Sequence, residues 1–217
     1  MNTWLKWALI LPPAFGFGMW LGAHHLSSEH EWLLLLGVFV LVFALFYVPR
    51  LHILLWTQNM SKVETFLQRT KVKYPQNGLL LDSANGEFDA VERTIPLIRN
   101  KQAQTAARIS LHIERQELAE ASQLVSEIRS DSHRSYSQAL IAVLTSDYNR
   151  ADTFKAAIRS KALRHVVDAE IAFRKGNQEE ADQAGQLAMA HAGGVLKLML
   201  TKSLERQKND AMRRTYF

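Results

Sequence analysis

The fold is decided by four short segments that follow one another at intervals of 30 residues: Asn85-Gly86-Glu87-Phe88, Arg115-Gln116-Glu117-Leu118, Thr145-Ser146-Asp147-Tyr148 and Lys175-Gly176-Asn177-Gln178. The apolar positions around the second residue of each segment repeat as well. Five residues before it stands Leu or Ile, and five residues after it stands Val or Ala. A fixed period of this length is typical of stacked arrays, in which each unit buries its apolar face against its neighbours.

Each 30-residue unit is predicted to be a pair of α-helices joined by a tight turn. In the first helix the apolar residues fall on two sides, as with Ala107 and Leu111 on one side and Ile109 and Ile113 on the other. A helix that is apolar on two sides is sandwiched between neighbours. The small residue five positions after the turn lets the two helices approach closely. The sequence therefore predicts an all-α fold, with about four helical hairpins over residues 77–192.

The turns resemble those of the tetratricopeptide and related helical-hairpin repeats. In those families a Gly-x-aromatic turn is followed by Ala in the second helix, and Gly86-Glu87-Phe88 and Tyr148 with Ala151 are similar to that pattern. The period here is 30 residues, where the tetratricopeptide repeat has about 34. The resemblance covers residues 77–191 and implies an α-solenoid that binds other proteins. With its apolar N-terminal segment, the plan is also similar to the HemY family, membrane proteins associated with haem biosynthesis.

Residues 1–56 are predicted to form a transmembrane hairpin. Residues 4–23 are apolar apart from Lys6, and residues 32–48 are apolar throughout, with the apolar character extending towards residue 56. Each stretch approaches the ~20 residues that a helix needs to cross a bilayer. A cleaved signal peptide is the alternative for the first stretch, because a charged start and small residues near its end are also present. The second stretch would anchor the protein in either case.

The basic residues predict the orientation of this hairpin. The loop between the spans carries no Lys or Arg, whereas Lys6 precedes the first span and Arg50, Lys62 and Arg69 follow the second. Basic residues near membrane spans stay preferentially on the cytoplasmic side. We therefore expect a protein of a bacterial-type cell membrane, with two spans and with both termini and the repeat domain in the cytoplasm.

Two features of the hairpin have alternative interpretations. Gly18 and Gly22 form a small-xxx-small pair, which serves close packing of the two helices, contact with another membrane subunit, or contact with a second copy of the chain. His and Glu side chains in the loop suit a metal ion chemically, but their spacing matches no specific ligand pattern. These loop residues are His24, His25, Glu29, His30 and Glu31. We predict neither a metal nor a cofactor.

Helices are also predicted on both sides of the array. Residues 57–76 are expected to form a linker helix between the membrane and the repeats. Residues 193–217 are expected to form a final helix that follows Gly193-Gly194. A terminal helix with a polar outer side is the cap that stacked arrays need.

A polar stripe on the first helices is the candidate partner site. Positions four, eight and eleven before each turn residue lie within about 60° of one another around a helix. The stripe comprises Thr105, Arg108, His112, Ser135, Gln138, His165 and Asp168. The resemblance to tetratricopeptide arrays implies that the first helices line a groove. The alternative is that the stripe is the solvated side of an amphipathic helix.

An arginine stands thirteen residues after the turn residue in three units: Arg99, Arg129 and Arg159. We expect each to end a second helix, where a cation interacts favourably with the helix dipole. Capping then explains the row without a ligand. An anion-binding row is the alternative, because a guanidinium group suits carboxylates and phosphates.

Composition and motifs argue against several kinds of site. The chain has no cysteine, which excludes disulfides and thiolate metal sites. Its net charge is +5, but basic and acidic residues alternate without a basic block, so nucleic-acid binding is not predicted. No Gly-rich phosphate loop, His-Glu-x-x-His or Gly-x-Ser-x-Gly motif is present, so an enzyme is not predicted.

The sequence therefore predicts a membrane-anchored scaffold whose cytoplasmic repeats bind a protein partner. An accessory subunit of a membrane transporter or enzyme complex, held through the transmembrane hairpin, is the alternative from another class. A link to haem biosynthesis is implied only by the resemblance to the HemY family.

Overall fold

A computed structural model describes residues 28–209 and 215–217 of the chain. Over these residues the protein is helical and contains no strand, which confirms the all-α prediction. The chain divides into two compact units, Met1–Leu51 and His52–Phe217.

The first described helix, α1, runs from Ser28 to Leu55. No single helix among the described residues is long and apolar enough to cross a membrane. The segments Leu36–Leu45 and Tyr47–Leu55, which meet at a bend of 42°, satisfy the length and composition together. Pro49 lies one turn beyond Leu45 and has no N–H to donate to the Leu45 carbonyl, which is a common cause of such a bend.

The two-span hairpin stays a prediction, because much of it falls outside the described residues. The first predicted span, with Gly18 and Gly22, lies there, and so do His24 and His25 of the loop. The loop was expected to continue to residue 31, but α1 already begins at Ser28. Polar residues at the start of this stretch therefore belong to the helix.

Ten further α-helices and one short 3-10 helix follow α1 in the described part of the second unit. They are α2 (Met60–Thr70), α3 (Pro75–Asn85), α4 (Phe88–Thr94) followed by the 3-10 turn Ile95–Leu97, α5 (Lys101–Glu114), α6 (Leu118–Val125), α7 (Asp131–Leu144), α8 (Tyr148–Ala156), α9 (Lys161–Arg174), α10 (Gln178–His191) and α11 (Gly194–Asn209). From α3 to α10 the helices pack as four successive hairpins, an arrangement consistent with an α-solenoid.

The turn inside each hairpin places its second residue in the left-handed region. The φ angle is +78° at Gly86 and Gly176, +63° at Gln116 and +64° at Ser146. The N–H of the next residue donates to a carbonyl of the preceding helix, as from Glu117 to His112 at 2.8 Å. Glycine adopts this conformation freely, while other residues lose roughly 1–2 kcal/mol. The turn geometry therefore repeats even where glycine does not.

The arginine row does not end the second helices, and the prediction that it does is wrong. Helix α6 ends at Val125, and Arg129 stands directly before Ser130, the N-cap of α7. The other two arginines have the same place, since Arg99 precedes the N-cap Asn100 and Arg159 precedes the N-cap Ser160. Each arginine therefore lies next to a helix N-terminus, where the helix dipole does not favour a cation.

Backbone groups of the row are instead bound by the preceding hairpin. The N–H of Arg129 donates to Oε1 of Gln102 at 2.7 Å, and Nε2 of Gln102 donates to the carbonyl of Glu127 at 3.0 Å. Thirty residues later, the N–H of Arg159 donates to Oγ of Ser132 at 3.0 Å. These bonds satisfy main-chain groups in the connections and hold each connection against the hairpin before it.

The first helices are packed on both apolar sides. On one side of α5, Leu111 shares a buried cluster with Val91 and Ile95 of the preceding hairpin. On the other side, Ile109 packs with Ala121 and Val125 of α6. Ala121 has no exposed surface, so the backbones of α5 and α6 approach closely.

Helix α2 belongs to the core of the second unit and is more than a linker. Val63 and Leu67 are fully buried at 0% exposure. They share a cluster with Leu81 and Ala84 of α3 and with Leu198 of α11. The predicted linker helix is thus held by the array and by the last helix together.

Helix α11 was predicted to cap the last hairpin, but it lies across the array and covers other helices as well. Leu198 packs with α2 and α3, whereas Leu200 packs with Ala162 and Val166 of α9. Near the end of α11, Arg206 donates to the carbonyl of Ala84. One helix therefore contacts the first and the last helices of the array.

Candidate functional site

Two residues of the predicted polar stripe are engaged by the second helices. Nδ1 of His112 lies 2.6 Å from Oε2 of Glu117, the residue before α6. Oδ1 of Asp168 lies 2.6 Å from Nζ of Lys155 in α8, and Lys155 also contacts Asp152 at 2.7 Å. Burial lowers the pKa of Lys155, but the hydrogen bonds to Asp152 and Asp168 outweigh it, so the net pKa is raised. The stripe therefore takes part in holding helices together.

His165 and Asp168 are brought together by the structure. Nδ1 of His165 lies 3.5 Å from Oδ2 of Asp168. The His165 ring also stacks on His191 at the end of α10, with 5.6 Å between ring centroids. Thr105, at the other end of the stripe, donates to Oε2 of Glu127 at 3.3 Å. These contacts are made within or between neighbouring hairpins.

The remaining stripe residues have three different surroundings. Ser135 is buried, at 8% exposure, and Arg108 is exposed on α5. Gln138 lines an open groove of about 730 Å³ beside α6 and α8. Apolar side chains and two guanidinium groups share the walls of this groove: Leu118, Val125, Ile141, Phe154, Arg134 and Arg150. The stripe is therefore not one continuous open surface.

A different surface of the last hairpin binds the final residues of this chain, and the sequence did not predict this contact. Residues 215–217 lie against α9 and α10. We call the surface that receives them the tail socket. Its members are Glu170, Ala172, Phe173, Ala181, Asp182 and Gly185.

The main chain of the tail is bound by one buried carboxylate. Glu170 is only 4% exposed. Its two oxygens accept the N–H of Tyr216 at 3.0 and 3.1 Å, and Oε1 also accepts the N–H of Phe217 at 3.0 Å. Hydrogen bonds to a charged acceptor are about twice as strong as neutral ones. Because they replace water, they reduce the penalty of burying the carboxylate.

The side chain of Tyr216 enters the space between α9 and α10. Its ring is packed among small residues, with 4% of the residue exposed. A Cβ at Gly185 would lie 2.6 Å from Cζ of this ring, so only glycine leaves the space. The hydroxyl donates to Oδ1 of Asp182 at 3.0 Å, and the ring meets Phe173 edge-on at 6.3 Å. The socket thus has both shape and polarity for a tyrosine.

A phenol beside the socket stays protonated. Burial raises the pKa of Tyr136, and the neighbouring carboxylates of Glu170 and Glu114 raise it further. Tyr136 also packs with Ala162 and Val166 under the last helix. Tyr136 therefore places an uncharged side chain next to the carboxylate of Glu170.

The tail socket left no periodic signal in the sequence. The positions equivalent to Glu170 in the two preceding hairpins are Leu140 and Ser110. The contact also joins residues 46 apart along the chain, which no local pattern specifies. The one available hint is that the otherwise apolar stretch from Val166 to Phe173 contains two acidic residues, Asp168 and Glu170.

Comparison of the chain with protein-family models, with curated proteins and with solved structures finds no match. The expected likeness to the HemY family therefore has no support beyond the sequence plan.

Proposed function

We propose that this protein is a membrane-anchored helical-repeat adaptor that binds a protein partner through its second unit. The observation that carries the proposal is the tail socket, where Glu170 receives main-chain N–H groups while a ring enters a pocket between α9 and α10. Polar groups that bind the main chain, beside pockets that bind side chains, are the means by which proteins recognise peptides. Stacked helical hairpins provide such surfaces over an extended length.

Helix α1 supports the membrane part of the proposal. Its large apolar side chains are open to the surroundings, with Phe39 at 68%, Leu41 at 60% and Leu45 at 59% exposure. A continuous apolar surface of this kind marks a site of contact with membrane or protein. We propose that lipid hydrocarbon covers it, and that Arg50 and the basic residues after it place the second unit in the cytoplasm.

Capture of the partner tests the proposal. The full chain is purified from its native membranes in mild detergent, and co-purifying proteins are identified by mass spectrometry. Gly185→Ala narrows the tail socket, while Gln186→Ala changes the next, exposed residue of α10 and serves as the matched control. We expect a stoichiometric partner that is lost with Gly185→Ala and kept with Gln186→Ala.

A second pair of substitutions separates the two candidate surfaces. Arg108→Glu with Gln138→Glu makes two accessible stripe residues acidic and leaves the tail socket unchanged. Loss of the partner in this variant alone would show that the partner binds at the open groove and not at the tail socket. A partner set that is the same in every variant would contradict binding through the second unit.

The exposed side chains of α1 also favour a second candidate, an accessory subunit that packs against another membrane protein. Here the apolar surface of α1 is covered by helices of the partner instead of lipid. Replacing residues 32–48 with an unrelated apolar sequence of equal length separates the two. A partner lost in that chimera, yet kept in all variants of the second unit, would establish the accessory-subunit function.

A further inference from the structure

We infer that the tail socket binds a partner segment with two consecutive aromatic residues, the first of them a tyrosine, and that residues 215–217 occupy the socket as a competing internal ligand. The inference rests on the proposed adaptor function and names the chemistry of the partner.

The first aromatic position is specified by shape and by one hydrogen bond. Gly185 leaves room for the ring of Tyr216, and small side chains from α9 and α10 surround it. Asp182 accepts the hydroxyl at 3.0 Å. A phenylalanine would fill the same space but would lose the hydrogen bond to Asp182, so tyrosine is preferred.

The second aromatic position is specified by packing. Phe217 lies edge-on to Tyr216, with 5.0 Å between the ring centroids. It packs with the cluster that contains Ala162, Val166 and Leu200. An aromatic residue here contacts both α9 and α11, and a polar residue would be placed on an apolar surface.

The main chain adds a condition that side chains do not. Glu170 binds the N–H groups of two successive residues. Proline has no N–H, so a partner with proline at either aromatic position would lose a hydrogen bond to the buried carboxylate. The segment recognised is therefore aromatic at two successive positions and free of proline there.

The tail competes because it is tethered. Helix α11 ends at Asn209, and Thr215 follows six residues later. A ligand that is joined covalently to its own binding site has a high effective concentration there. A partner segment binds the intact chain only if it displaces the tail. Competition by the tail therefore lowers the apparent affinity of the partner segment for the intact chain.

Peptide binding tests the inference. The probe is a fluorescent peptide that ends in Thr-Tyr-Phe, and its polarisation is measured against the intact chain in detergent and against a variant that ends at Asn209. We expect the peptide to bind the shortened chain at least tenfold more tightly than the intact chain, because the tethered competitor is gone. Intact protein with Tyr216→Ala should also gain affinity for the peptide.

Two matched variants locate the binding in the socket. Gly185→Ala in the shortened chain should abolish peptide binding, since a Cβ there overlaps the tyrosine ring. Gln186→Ala, at the next and exposed position, should leave it unchanged. A peptide with Ala in place of Tyr should not bind, and a peptide with Phe in place of Tyr should bind less tightly. Thermal unfolding followed by circular dichroism checks that each variant is folded.

Three results would overturn the inference. The first is equal affinity for the peptide in the intact chain, the shortened chain and the Tyr216→Ala variant. The second is no binding of the peptide to any folded variant at millimolar concentration. The third is a concentration-dependent dimer of the intact chain that disappears in the shortened chain, which would assign the socket to the tail of a second copy.

The outcome is separable from that of the proposed function. If the peptide binds as expected but membranes yield no partner, the socket stands as a site and the adaptor proposal fails. If membranes yield a partner that is insensitive to Gly185→Ala, and the peptide does not bind, the adaptor proposal stands and the partner uses another surface.

Discussion

Single residues in the turns test how much backbone conformation contributes to stability. Ser146 has φ of +64°, so Ser146→Gly should raise the free energy of unfolding by about 0.5–1 kcal/mol. Gly176 has φ of +78° and open space where a Cβ would lie. Gly176→Ala should therefore lower the free energy of unfolding by about 1 kcal/mol, because alanine disfavours this backbone conformation and no steric clash adds to the cost. Urea unfolding measures both. Ser137→Gly, inside α7, is the control and should be destabilising; a stabilising Gly176→Ala would contradict the argument.

The ion pair between Lys155 and Asp168 is a second test at individual side chains. A double-mutant cycle with Lys155→Met and Asp168→Asn should give a coupling energy of about 0.5–1 kcal/mol, because the pair is only partly buried. The folded-state pKa of Lys155 lies above its ordinary value of 10.5. The contribution is therefore fully present below pH 10.5 and is lost as the pH rises through the folded-state pKa. Equal stability of all four proteins would show that the pair contributes nothing.

Helix α11 is the element whose role differs most from its prediction, and Leu198 tests that role. The side chain is 1% exposed and packs with α2 and α3. Leu198→Ala should destabilise the protein by about 2–5 kcal/mol through the cavity it leaves. Leu187→Ala, at a position that is 47% exposed, is the control. Hydrogen exchange should then accelerate in α2 and α3 as well as in α11; acceleration confined to α11 would contradict a shared core.

The proposed membrane topology of the whole molecule can be tested with single cysteines because the chain has no cysteine of its own. Single cysteines at His25, Leu41 and Gln183 are treated with a membrane-impermeant maleimide. We expect His25→Cys to react in intact cells, Gln183→Cys to react only in inside-out vesicles, and Leu41→Cys to react in neither, since a thiolate does not form in hydrocarbon. Reaction of Leu41→Cys in intact membranes would contradict the proposed lipid contact.

The sequence by itself determined the helices, the turns and the buried alanines of the array. These features depend on residues close together in the chain, such as Gly86 in its turn and Ala121 five positions beyond the next turn residue, and the 30-residue period repeats them. The arginine row shows the limit of the same reasoning. Its period was visible, but whether Arg129 ends α6 or precedes α7 depends on N-caps such as Ser130, and one polar residue can serve either end of a helix.

Only the tertiary structure decided where α11 and the tail lie, and hence which surface of the first helices is already occupied. Leu198 packs in one cluster with Leu67, although the whole array separates them along the chain. Glu170 accepts hydrogen bonds from the N–H groups of Tyr216 and Phe217. Neither contact repeats along the chain, so the 30-residue period does not predict it. Long-range contacts are selected by the burial and hydrogen bonding they complete together, and those gains exist only once the helices are packed.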